Sequence, residues 1–306
     1  MTTASVAERA AGLVDDYLLV WILLAVTVGL AVPSLAVLTP LSTPLLAVMI
    51  GGVSLTLTTD EFRALRGRAL GTALLTQSSM PLVALVLATG FGLDPTLTVG
   101  FVVLGAVTPE LVTPVMTELA DGDTALATTV LVAVGLGSVA FVPLVVTGLF
   151  GDGLAVDPLT ILEPLAVAVV VPMVAAVAAR ARWPARIGAH EQLYPSVSAL
   201  MVVLVIGIVT AANASTVLAA DSSLLLVVAA ALALNLGGYA LGWLAGLPLT
   251  RPERIATALS VGMRDFAVAA ALVLAAGLPA AAGLPAVVFG VVEMVTSAAF
   301  ARWLRR

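Results

Sequence analysis

"LSVGMRDFAVAAALVLAAG", residues 259–277, is apolar almost throughout, yet Arg264 and Asp265 sit side by side within it. Each charged side chain costs roughly 2.5–3.5 kcal/mol at the centre of a membrane helix on insertion scales. Adjacent residues do not face each other on a helix, so these two cannot pair within a regular turn. Either other segments supply partners or the helix breaks there. Intramembrane charges mark functional sites by default, although a buried ion pair bracing two helices is the plain structural alternative.

The rest of the chain sets the solvent for this stretch. Of its 306 residues 61% are hydrophobic and 10% are charged, against about 25% charged in soluble domains. The composition is that of an all-helical, multi-pass membrane protein. Ten segments approach the ~20 residues that a bilayer requires. They run over 17–33, 40–58, 69–90, 95–119, 124–149, 158–179, 194–213, 222–247, 253–277 and 282–302. The lead "MTTASVAERAAGLVDD" lacks the cationic start of a signal peptide and is expected to be a short interfacial or frayed segment retained in the protein.

Several function classes fall away on content. There is no cysteine, hence no disulfide framework and no thiolate site. His190 is the one histidine and lies in the polar connection "ARARWPARIGAHEQ", so a histidine metal site is excluded by count. No Gly-x-Ser-x-Gly run or His/Asp cluster points to an enzyme. No basic patch is large enough for nucleic acid.

The charges also orient the chain. All thirteen basic residues are arginine. Arg9, then Arg63, Arg66 and Arg68, then Arg180, Arg182 and Arg186, then Arg251 and Arg254, and finally Arg302, Arg305 and Arg306 all fall on one side of a ten-span path. The remaining one is Arg264. The positive-inside rule then puts both termini in the cytoplasm, with the protein in the cell membrane and lipid around it.

The chain divides near residue 152, at "FGDGLAVDP", into five spans on each side. Residues 1–152 and 153–306 are then expected to form two repeats of opposite orientation. The corresponding spans 4 and 9 have the oddest interiors. Span 4 reads "VVLGAVTPELVTPVMTELADGD", with Glu110 between Pro109 and Pro114. Each proline removes a backbone hydrogen bond and crowds the preceding turn. In span 9, Gly262 precedes the charged pair. Disrupted helices at matching places in two inverted halves point to a transporter's binding site. Pro109 and Pro114 also admit a purely structural reading, since proline kinks are common in membrane helices.

Four stretches carry a family likeness. "GGVSLTLTTDEFRAL" (51–65), "VMTELADGDTALATTVL" (115–131), "LNLGGYALGWLAGLP" (234–248) and "ALSVGMRDFAVAAALV" (258–273) stand in order along the chain. In the third, Asn235, Gly238, Tyr239 and Gly242 are in step with the pattern. Together they resemble the bile acid:sodium symporter family, within the bile/arsenite/riboflavin transporter superfamily. The resemblance implies ten helices in two inverted repeats. Spans 1, 2, 6 and 7 would form a panel domain, and spans 3–5 and 8–10 a core in which broken spans 4 and 9 cross. Substrate would bind between them and be carried by alternating access. Members carry organic anions, often with sodium.

The resemblance also implies ion and substrate positions, and there the sequence departs from the pattern. The sodium places correspond to Thr113, Pro114, Ala127 and Leu131, and on span 9 to Ser260 and Arg264. Val261 and Met263 belong to the same span 9 motif. Thr113 keeps a hydroxyl; Pro114, Ala127 and Leu131 offer no side-chain oxygen. Ser260 stands for an acid and Arg264 for a neutral ligand. A family glutamine on span 3 corresponds by count to Thr76, with Gln77 one residue later. The guanidinium of Arg264, always charged and with five donors, is then expected to occupy the place of sodium. Its acid partners are expected from Glu110, Asp265 or Glu293. Glu163, early in span 6, reads as an N-terminal helix residue.

These readings combine into a secondary transporter of a small organic anion or related metabolite. No cofactor is expected beyond a coupling ion, sodium or a proton. The rivals are a proton-coupled or uncoupled carrier on the same fold, and a sensor or scaffold that no longer transports. The pattern carries no signal for oligomeric state.

Overall fold

A computed structural model describes residues 12–14, 17–56, 67–150, 167, 171–191, 193–219 and 222–305. Every regular element among them is helical. Six helices are long and apolar enough to cross a membrane, and a seventh is Thr124–Phe150, bent by 57° between Ser138 and Ala140. Leu18–Ala31 and Pro95–Ala106 are apolar but shorter. The expected domain boundary at residue 152, Glu163, most of span 6 and the stretch 57–66 lie outside the described residues.

In chain order the helices are α1 (Leu18–Ala31), α2 (Ser42–Ser54), α3 (Arg68–Gly90), α4 (Pro95–Ala106), α5 (Thr113–Leu119), α6 (Thr124–Phe150) and α7 (Val171–Arg182). They continue with α8 (Pro184–Gly188), α9 (Leu193–Ala212), α10 (Ala214–Ala219), α11 (Ser222–Ala245), α12 (Arg251–Gly262), α13 (Phe266–Ala275) and α14 (Leu284–Leu304). Their starts follow local rules. Asp94 caps α4, its Oδ1 accepting the N–H of Thr96 and Leu97 at 2.8 and 3.0 Å, and Pro95 follows at the first turn, where its missing N–H costs nothing. Thr250 begins α12 in a capping box, its N–H donating to Glu253 at 2.9 Å.

Two groups of helices emerge from the packing. α1 and α2 lie against α9, and α2 also lies against α7. α3, α4, α6, α11, α12 and α14 pack among themselves. α13 joins the two groups through α2 and α9. The span from Arg251 to Ala275, made of α12 and α13, is the most buried of the six, at 89% of its apolar window. It is the centre of the molecule, so a break in it is protected from lipid, as irregular backbone in a membrane must be.

Small residues allow the closest approach. A Cβ on Gly238 would lie 2.7 Å from the Cα of Gly262, and one on Gly242 equally near the Cα of Ala258. α11 and α12 therefore meet backbone to backbone, the usual basis of helix association in lipid. Gly262 ends α12, as expected from its place before the charged pair, but its φ is not positive. What requires glycine there is the Tyr239 ring, which a Cβ would overlap. Gly262→Ala is expected to destabilise the protein by about 1–3 kcal/mol through overpacking. Combined with Tyr239→Ala, the two costs should fall short of additive, and thermal unfolding of the four proteins in detergent measures the shortfall.

Candidate functional site

Spans 4 and 9 are both interrupted. Helix α4 stops at Ala106 and α5 resumes at Thr113. Helix α12 stops at Gly262 and α13 resumes at Phe266. The breaks fall slightly off the expected limits. Pro109 lies in the first break, but Pro114 sits in the opening turn of α5, where proline is tolerated rather than disruptive. Ser260 is still helical, and the second break is Met263–Asp265. The two interruptions touch: the N–H of Asp265 donates to the carbonyl of Thr108 at 2.9 Å.

The break explains the adjacent charges. Met263 is extended, at φ −87° and ψ 137°, and Asp265 is also non-helical. In extended backbone successive side chains point to opposite faces. Arg264 turns to one side. Its Nη1 donates to the carbonyls of Gly105 at 3.0 Å and Val107 at 3.3 Å, and its Nη2 to Val261 at 3.0 Å. Asp265 caps α13, its Oδ1 accepting the N–H of Val268 at 2.8 Å. Both residues are buried, Arg264 completely.

This corrects the expectation that acids hold the guanidinium. Among the described residues no carboxylate forms an ion pair with Arg264. Glu293 reaches the same residue differently: its Oε2 accepts the main-chain N–H of Arg264 at 2.8 Å. The reason lies in the breaks. A helix end leaves its last carbonyls without intrahelical donors. Gly105 and Val261 lie in the last turns of α4 and α12, and Val107 just beyond α4. In a dry interior these carbonyls must be satisfied, and the five donors of arginine satisfy three of them at once.

Glu110, Asp265 and Glu293 surround this centre and interact electrostatically with one another. Among the described residues no three acids come close enough to hold one metal ion. Several buried oxygens on the converging segments have no donor: Gln77 Oε1, Glu110 Oε2, Thr113 Oγ1, Ser260 Oγ and Glu293 Oε1. The span 3 assignment resolves by one residue. Gln77 is buried and its Nε2 donates to Val107 at 3.2 Å, whereas the Thr76 hydroxyl returns to its own helix at Thr72. Met263 is buried within an apolar cluster that also contains Tyr239 and Leu259, and Val261 contributes its carbonyl.

A second polar group was not singled out as a site in the sequence. Asn235 donates from Nδ2 to the carbonyl of Gly262 at 3.1 Å, and its Oδ1 accepts the Thr296 hydroxyl at 2.6 Å. An asparagine inside the apolar run "LALNLGGYAL" was the available signal.

Beside the breaks lies a partly open pocket. It opens between the two groups of helices. Met49, Ile50, Val53 and Ser54 of α2 and Met173 of α7 form one wall. Thr108 and Leu111 of the first break, Leu131, Gly135 and Ser138 of α6, and Asp265, Val268 and Leu272 form the other. Asp265 is the only charged residue among the described lining residues.

Two interrupted membrane helices meeting at a buried charged centre, with a pocket beside them, define the architecture of a membrane carrier. The particular family is shown by comparison: the chain belongs to the sodium bile acid symporter family, which matches residues 43–220. It is also 27% identical over 290 residues to the uncharacterized sodium-dependent transporter YocS of Bacillus subtilis (strain 168), a match covering 93% of this chain and 86% of that protein.

The dual position of Asp265 gives a direct test. Asp265→Ala removes the cap of α13 and should cost about 1 kcal/mol. Asp265→Asn retains a cap acceptor and should cost distinctly less. Thermal melts of the two variants in detergent compare them.

Proposed function

We propose that the chain is a secondary transporter in which a small amphipathic organic solute binds the pocket between the two helix groups. The observation that carries this reading is the placement of both helix breaks at the pocket wall. A solute there touches Thr108 and Asp265, the two residues that join the breaks through one main-chain hydrogen bond. Binding and rearrangement of the crossing are thereby linked. The full architecture would be ten spans in two inverted repeats, 1–152 and 153–306. The group of α1, α2, α7 and α9 would move against the rest in alternating access. Both termini would face the cytoplasm, and the pocket would open to each side of the cell membrane in turn.

The apolar walls suit the body of an organic acid, and the hydroxyls of Thr108 and Ser138 suit its polar head. A second reading has its own observation. Asp265 is a carboxylate on the pocket wall, and no described lining residue is cationic, which favours a neutral or cationic head group. A thermal-shift screen decides between them, because a ligand that binds the folded state stabilises it. Cholate-type anions should raise the melting temperature, more strongly in Asp265→Asn, and Ser138→Trp should abolish the effect by filling the pocket. Stabilisation by amphipathic amines alone would select the second reading.

Orientation is tested separately. The cysteine-free chain makes single-cysteine labelling clean. Val37→Cys is expected to react with an impermeant external thiol reagent, and Ala185→Cys only after the membrane is opened. The opposite pattern would invert the topology.

A further inference from the structure

The carbonyl cage around Arg264 has the chemistry of a cation site. Half-helix C-terminal ends carry partial negative charge, and in carriers built on broken helices such ends coordinate the coupling cation. Here α4 and α12 both end at the cage, and Gly105, Val107 and Val261 all aim their carbonyls at one cation. That cation is a side chain of the protein itself. It is completely buried, and it uses its two Nη atoms while its Nε has no partner.

We infer that the guanidinium of Arg264 is a resident cation standing where a carrier of this kind binds sodium, so that this protein needs no sodium at its centre. The surrounding oxygens agree. Ser260 Oγ and Gln77 Oε1 lie on segments that form the cage and have no donor. They accept no N–H from the guanidinium, whose Nη atoms donate to the three carbonyls and whose Nε has no partner. Of the three acids, Glu293 is the one that interacts electrostatically with Arg264.

The inference concerns ion occupancy and does not require transport to be measured, so its failure would leave the carrier reading standing. The experiment is thermal unfolding of the purified protein, without added solute, in sodium chloride and in choline chloride. The unmodified protein should melt at the same temperature in both. Arg264→Lys keeps a cation with fewer donors; it should melt lower and remain indifferent to sodium. Arg264→Gln should melt lower in choline by on the order of 5–10 °C and recover part of that loss in sodium. Arg264→Gln with Ser260→Glu should recover more. If Arg264→Gln does not fold in either salt, the unmodified and Arg264→Lys proteins decide alone. A sodium shift of the unmodified protein that Arg264→Gln leaves unchanged would overturn the inference. So would an Arg264→Gln protein that folds but ignores sodium, because the cage would then not be a cation site.

Discussion

Two helices that stop inside the protein, at Ala106 and Gly262, leave main-chain carbonyls with no donor in their own helix. The rest of the structure depends on how those carbonyls are satisfied. Leaving them unpaired costs several kcal/mol each in hydrocarbon. One guanidinium satisfies three, from both broken spans, through Nη1 and Nη2. A second link runs main chain to main chain, from Asp265 to Thr108. A third runs from the Arg264 N–H to Glu293 on α14. The meeting of the two breaks is therefore stitched by hydrogen bonds rather than by apolar packing alone.

That stitching divides the work of two adjacent residues. Arg264 ties the two interrupted segments together, while Asp265 caps α13 and reaches the pocket wall. The separation is possible only because three residues leave the helix there. The surrounding helices make room for it. Gly238 and Gly242 let α11 approach α12, and the Tyr239 ring covers Gly262. Asn235 then takes the Gly262 carbonyl, another acceptor freed by the end of α12. Each interaction answers the same need, which is to pair backbone groups that the break has exposed.

Much of this was legible in the sequence, for physical reasons that can be named. A charged pair in an apolar run is costly enough to demand a purpose, and prolines around Glu110 cannot continue a helix undisturbed. The four family-like stretches gave the right family. What sequence did not show is who would hold the arginine. Carboxylates have letters in the sequence and were expected as partners. Main-chain carbonyls have none, and only the position of a helix end makes them acceptors. The same blindness displaced the breaks, because Pro114 reads as a breaker yet occupies a first turn. Register was uncertain by one residue in span 3, and one residue turns a helical side chain by about 100°. That is why Gln77, not Thr76, meets the first break, at Val107. The reason for glycine at 262 lay in a ring from another helix, at a separation no local pattern reveals.

The occupancy of the cage is the central claim, and equilibrium binding of radiolabelled sodium to the purified protein tests it most directly. The unmodified protein should show no saturable binding, and Arg264→Gln should take up about one ion per chain, held by the carbonyls that the guanidinium has left. Saturable binding to the unmodified protein that survives Arg264→Gln unchanged would contradict the account.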